Sequence, residues 1–278
     1  MNFRRLKMGL NTVLGLKKQG YFVPYRYLET TPSLGDQVPY ATQKTLFDAE
    51  KSTILHYLDK MASHLEVFQN FGKAPPPEPR FEQDWFPRLD GAAAYSMVRE
   101  FTPQTIIEVG SGHSTRFMLR AIQDGKLSTD FYAIDPAPRA DISKLPVTID
   151  NQIVQSSDPA LFQRLKARDI LFIDSSHIAM PGSDVDYLFL NILPTLPAGV
   201  VVHIHDIFLP DAYPAAWEWR GYNEQQAVAG LLTGGFEILF SSHYAAKYMT
   251  DEVAKSGLAS LPLPNGSFET SLWLRKKT

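Results

Sequence analysis

The segment "TIIEVGSGHSTRF", residues 105–117, runs three β-branched residues into an acid, Glu108, and then through two alternating glycines, Gly110 and Gly112, into a polar helix start. This order predicts a strand, a tight turn and a helix, the first βα unit of a parallel sheet. Neither glycine carries a Cβ, so bare backbone approaches whatever lies at the helix N-terminus. A dinucleotide fingerprint, G-x-G-x-x-G, would place a third glycine where Thr115 stands and needs no acid two residues before its first glycine. Glu108 would repel a pyrophosphate and suits a cationic amine, reached directly or through water. The spacing therefore points to a charged amino acid joined to a nucleoside rather than to NAD.

Outward from this turn, short apolar runs alternate with helical stretches, the rhythm of βαβ units. Strands are expected at 105–109, 131–134, 152–155, 170–173, 200–204, 236–240 and 271–274, and helices at 114–123, 159–166, 184–193 and 223–232. Seven strands with covering helices make a doubly wound sheet, whose ligand site lies beyond the carboxyl ends of the strands. Before this region, residues 42–71 place Leu46, Ile54, Leu58, Met61, Leu65 and Phe68 at helical spacing, which predicts one long helix. Three successive prolines in "GKAPPPEPRF" cannot continue it. The expected division is an N-terminal helical extension with a Pro-rich connector over 1–80 and the main domain over 81–278.

The chain has 278 residues, 44% of them hydrophobic, enough for a full α/β core. A net charge of −3 gives no basic face for a nucleic acid. The absence of cysteine removes thiolate nucleophiles, disulfides and Cys-bound zinc, and a cytoplasmic location is the default expectation. Basic residues Arg4, Arg5, Lys7, Lys17, Lys18 and Arg26 crowd the first 26 positions without an acid. Phe3, Leu6, Leu10, Val13 and Leu14 recur there at helical spacing, but the lysines interrupt the run well short of the ~20 apolar residues of a membrane span. An amphipathic helix fits, packing on its own domain or a partner subunit, or lying on an anionic membrane as a peripheral contact. A homodimer is the expected assembly.

The motif E-x-G-x-G-x-S over Glu108 to Ser114 resembles the first motif of class I S-adenosylmethionine-dependent methyltransferases, and residues 85–276 follow the same template. The resemblance is closest to a bacterial small-molecule branch in which "IDxxH" is followed by "HD". It implies a Rossmann-like doubly wound sheet, mostly parallel, with an antiparallel last strand inserted beside the fifth. It also implies S-adenosylmethionine held by Glu108, Gly110, Ser111, Gly112 and Ser114, with Asp135 of "FYAIDPAP" on the ribose hydroxyls. Ser157 and Asp158 of "IVQSSDP" would stand near the adenine, and Asp174 of "ILFIDSSH" near the methionine end. Ser114 departs from the family in replacing a third glycine, a change this branch tolerates.

Methyl transfer from a sulfonium is an in-line displacement, and a hydroxyl acceptor must also lose a proton. His205 and Asp206 of "VVHIHD" and His177 are the candidate catalytic residues, whereas His203, two positions before His205 on the same face, suits a core role. Asp174, His205 and Asp206 are the candidate ligands for a divalent cation such as Mg, with His177 beside them; a metal-free histidine base is the competing reading. The aromatic segments 84–96 and 206–225 are expected to flank the cleft. The function expected is methyl transfer to a small-molecule acceptor, most simply O-methylation. The alternative is a non-catalytic protein of the same fold that binds S-adenosylmethionine or assembles with a partner.

Overall fold

A computed structural model describes residues 3–33, 37–138 and 145–278. The chain falls into two compact units, Met1–Gln37 and Val38–Thr278. In the first, helix α1 spans Phe3–Val13 and buries none of its residues. Gly15, at φ +70°, ends it, and the Leu16 N–H returns to the Asn11 carbonyl at 2.9 Å, a left-handed glycine cap.

In the second unit the region expected as one long helix is three: α2 (Ala41–Ala49), α3 (Lys51–Ala62) and α4 (Leu65–Phe68). Glu50 leaves helical geometry at ψ 11°, which re-aims α3 so that Ile54, Leu58 and Met61 reach the core. α5 (Arg88–Phe101) follows the prolines and is buried along nearly its whole length. Its Gly-Ala-Ala-Ala stretch is small for a reason: a Cβ on Gly91 would stand 2.5 Å from the Phe117 ring of α6 (His113–Gly125). Only a glycine lets the two helices close against each other.

Among the described residues the sheet has seven strands, β1 (Thr105–Val109), β2 (Asp130–Ile134), β3 (Thr148–Asp150), β4 (Ile170–Ile173), β5 (Val201–Ile204), β6 (Phe236–Ser241) and β7 (Leu272–Lys276). Their order is β3-β2-β1-β4-β5-β7-β6. β1 to β5 are parallel, and β7 runs antiparallel between β5 and β6. This is the Rossmann-like, mostly parallel arrangement expected, with its last strand inserted antiparallel beside the fifth. β1, β4 and β5 are buried on both faces, as helix-covered parallel strands require.

The third strand lies earlier than expected, at Thr148–Asp150 instead of 152–155. Thr148 and Ile149 supply the β-branched residues that pair with β2, and the chain then tightens into a 3₁₀ turn at Val154–Ser156. The helix expected over 159–166 is a 3₁₀ segment, Pro159–Arg164. That expected over 184–193 begins as α7 (Asp184–Tyr187) and widens into a π-turn over Leu188–Ile192. Pro194 explains this, since it has no N–H to give the preceding turn. Helices α8 (Glu224–Leu232), α9 (Ser242–Tyr248) and α10 (Thr250–Lys255) complete the unit. The strand order reverses between β1 and β4, so their carboxyl ends open a crevice there.

Candidate active site

The crevice begins with the glycine turn. Gly110, at φ +80°, lies so close to β4 that a Cβ would stand 2.1 Å from the Asp174 carbonyl oxygen. Its N–H bonds to Ile134, and the Asp174 N–H bonds to Val109, so the turn is pinned between β2 and β4. Beside Gly112, among the described residues other than its chain neighbours and its own helix, nothing comes within 4 Å of where a side chain would begin. The turn thus leaves open space above half-buried backbone.

Glu108 sits beneath the turn, with no exposure. Its two oxygens accept the hydroxyls of Ser114 at 2.5 Å and Thr115 at 2.6 Å, and Thr115 Oγ1 in turn accepts the Gly112 N–H at 3.0 Å. Burial pushes the Glu108 carboxyl up to about 8, against the pull of those two hydroxyls. The sequence reading gave Glu108 and Ser114 to the cofactor. Here each is occupied with the other, because a buried carboxyl must find donors within the protein. They brace the turn from inside.

Asp135 is more open, at the carboxyl end of β2. Its Oδ2 accepts the N–H and hydroxyl of Ser111 at 2.9 and 2.8 Å, and its Oδ1 accepts the Ala137 N–H at 2.8 Å. Gly110, Ser111, Gly112 and Asp135 therefore form one rim. Ser157 is buried, and its hydroxyl has no hydrogen-bond partner among the described residues. Asp158 is exposed and caps the following 3₁₀ segment through the Ala160 N–H at 2.9 Å, an acid spent on local structure. His113 opens α6, and burial, with Arg116 nearby, lowers it to about 4, so it is neutral.

Across the crevice the ends of β4 and β5 bring four groups together. His177 Nε2 lies 3.3 Å from Asp174 and 3.3 Å from Asp206. His205 Nδ1 lies 3.6 Å from Asp174 and 3.5 Å from Asp206. His177 and Asp206 both adopt positive φ, +61° and +56°, which turns their side chains back over the strand ends. Behind the imidazoles stand two acids that sequence reasoning missed. Glu224, fully buried at the start of α8, meets His177 Nδ1 at 2.8 Å and accepts the Ser175 hydroxyl at 3.1 Å. Asp90, fully buried in α5, lies 3.5 Å from His205 Nε2 and accepts the N–H groups of Thr270 and Ser271 at 3.0 and 2.9 Å.

Burial alone would lower both histidines, but the surrounding carboxylates outweigh it. Asp174, Glu224 and Asp206 raise His177 well above the usual imidazole value, and Asp206, Asp174 and Asp90 do the same for His205. Burial would raise Asp174, yet the two imidazoles hold it below the ordinary carboxylate range. His203 belongs to the core: its ring stacks on Phe172 at 3.7 Å, Nε2 meets the Ser271 hydroxyl at 2.9 Å, and burial lowers it.

The flanking aromatic segments divide. Phe86 packs 5.3 Å from the His205 ring and Tyr222 4.6 Å from the His177 ring, with Arg220 stacked 3.9 Å over Trp217 beside Tyr222. Tyr95 turns away into a cluster with Phe68 and Phe71 and donates to Asp124 at 2.9 Å. Asp174, His205 and Asp206, the expected metal ligands, do stand together. However, among the described residues no group of three or more His, Asp or Glu side chains is arranged to hold a metal ion. Their closest contacts are imidazole to carboxylate, a pattern of charge pairing.

A search of curated proteins finds no match. Similar solved structures include the SAH-bound methyltransferase PaMTH1 of Podospora anserina, at 17% identity and a TM-score of 0.45 over 93% of this chain and 100% of that one. Another is the plantazolicin methyltransferase BpumL in complex with a pentazolic desmethylPZN analog and SAH, at 14% identity and a TM-score of 0.43 over 85% of this chain and 100% of that one. Residues 107–207, the stretch that carries the glycine turn, Asp135, Asp174, His177, His205 and Asp206, match the family model described as "Methyltransferase domain".

Proposed function

We propose that this methyltransferase domain moves a methyl group from S-adenosylmethionine to a hydroxyl of a small-molecule acceptor. We assign the reaction to residues 81–278, with 38–80 as a buttress. The observation that carries the reading is the convergence of His177, His205, Asp174 and Asp206 on one side of a glycine turn with open space above it. The cofactor, when bound, supplies an electrophilic methyl on a sulfonium. Gly110, Ser111 and Gly112 give it backbone at close range, Asp135 suits the ribose hydroxyls, and the unsatisfied Ser157 hydroxyl offers a donor and acceptor to a base edge. Asp174, held ionised by its histidines, suits the cationic amine.

A hydroxyl acceptor explains the imidazoles, because its oxygen must lose a proton as it attacks. His177 or His205 takes that proton; Glu224, bonded to His177, keeps that ring aimed into the crevice, and the charges of Glu224 and Asp90 stabilise the imidazolium formed. A second reading rests on the spacing of the four groups, 3.3 to 3.6 Å from one to the next, which is also the separation of donors around a shared divalent cation.

Calorimetry with S-adenosylmethionine and S-adenosylhomocysteine, followed by methyl-transfer screening against hydroxylated acceptors, tests the proposal. Binding of both ligands and loss of turnover in His177→Ala or His205→Ala support it; absence of binding overturns it. Turnover that survives EDTA dialysis supports the imidazole base. Loss that Mg restores gives the role to a metal.

A further inference from the structure

We infer that the N-terminal unit is an anchor that docks this enzyme on an anionic lipid surface. A 100° step per residue gathers Phe3, Leu6, Leu10, Val13 and Leu14 into an arc of about 100° on one side of α1, with Lys7 at its edge. Arg4, Arg5, Asn11 and Thr12 occupy the rest. Among the described residues of its own unit the apolar arc has no cover: Phe3 is 80% exposed, Leu10 51%, Val13 61% and Leu14 65%. After the cap, Leu16, Phe22, Val23, Tyr25 and Tyr27 are also exposed, with Lys18 lying over Tyr21 and Arg26 over Tyr27. Aromatic rings and basic stems of this kind match the headgroup region, apolar at one end and wet at the other.

An isolated helix of 11 residues is marginal in water, where about 12–15 residues are needed even for good helix formers. The cap at Gly15, and the Gln19 N–H bonded to Thr12 Oγ1 at 2.9 Å, fix the helix end but supply no apolar cover. Charge decides what supplies it. The first 28 residues carry six cations and no acid, within a chain of net charge −3. A second copy would bring like charge against like charge across a two-fold axis. An anionic bilayer offers both an apolar layer for the arc and negative headgroups for the cations.

The test uses the full chain and vesicles of phosphatidylcholine alone or mixed equally with phosphatidylglycerol, read by co-sedimentation at low and physiological salt. The expected result is binding to the anionic vesicles only, weakened by salt. Lys17→Gln with Lys18→Gln should lower it about thirtyfold, the equivalent of ~1 kcal/mol per basic residue. Leu6→Glu with Leu10→Glu should abolish it; these side chains are outside the core, so circular dichroism should stay unchanged. The inference is overturned if neither vesicle binds, or if the Leu6/Leu10 variant binds as well as the parent, which would indicate a soluble polyanion as partner. It is equally overturned if sedimentation without lipid shows an oligomer that this variant dissociates. Binding of S-adenosylmethionine is independent of all three results.

Discussion

Glu108→Gln isolates the cost of a carboxyl buried under the glycine turn. In the unfolded chain this group titrates near 4.5, and in the fold burial raises it to about 8. A group raised on folding favours the folded state most below its unfolded value, and the advantage drains away as pH climbs toward the folded one. Over the two units from pH 5 to pH 7, at 1.36 kcal/mol per unit, the wild type should lose about 2–3 kcal/mol through this group alone. A glutamine at this position does not titrate, and its amide can serve both hydroxyls, so the variant lacks that slope. Urea unfolding of both proteins, followed by tryptophan fluorescence, measures the difference at each pH, and the other titrating groups cancel in the comparison. The variant should gain on the wild type by about 2–3 kcal/mol between pH 5 and pH 7. A difference that stays constant would refute the reasoning: it would mean that the 2.5 and 2.6 Å bonds from Ser114 and Thr115 keep Glu108 ionised in the fold.

Because carboxylates raise His177 and His205, methyl transfer should increase with pH through a limb lying above the ordinary imidazole value, and Glu224→Gln should move that limb downward while leaving S-adenosylmethionine affinity within a factor of about three. A pH–rate profile with no shift would remove Glu224 from the proton path. Gly91→Ala should destabilise the fold by about 1–3 kcal/mol in urea unfolding, since its Cβ meets Phe117 at 2.5 Å. Asp211, buried, accepts from His243 at 2.7 Å, Lys247 at 2.8 Å and Tyr248 at 3.0 Å; burial opposes these contacts but they hold its carboxyl down at about 2. Its contribution is therefore present above pH 3.8 and lost as pH falls toward 2. Asp211→Asn should cost about 1–3 kcal/mol at neutral pH and flatten the acid limb of the stability curve.

The sheet was readable because each parallel strand is a short apolar run closed by an acid or a turn, and Glu108, Asp135, Asp174 and Asp206 mark four strand ends. Edge strands lack that contrast: β3 is only three residues long, and the sequence reading placed it a few positions late. Helix breaks were hidden for a similar reason. Residues 42–71 keep their apolar period through Glu50, and the bend there shows only once α3 must reach the core. In the site, His177 and His205 were legible from their place beside strand ends, whereas Glu224 and Asp90 carry no local signal. Glu224 opens α8 beyond an aromatic loop, and Asp90 lies in a helix that precedes every strand. For Glu108 the sequence marked the position, and the fold adds that the Ser114 and Thr115 hydroxyls bond to its two oxygens.

The insertion of β7 between β5 and β6 also sets a schedule for the nascent protein. Residues 269–271 carry the Glu269 carboxylate that grips Arg88 and the Leu89 N–H, the backbone that holds Asp90, and the Thr270 hydroxyl that reaches Asp206 at 3.2 Å. A ribosome-bound chain that has released β1 to β6 thus has its glycine turn but an open gap in the sheet and unanchored acids behind His205. On the proposed reading of the site, methyl transfer would wait until residues 269–276 are free.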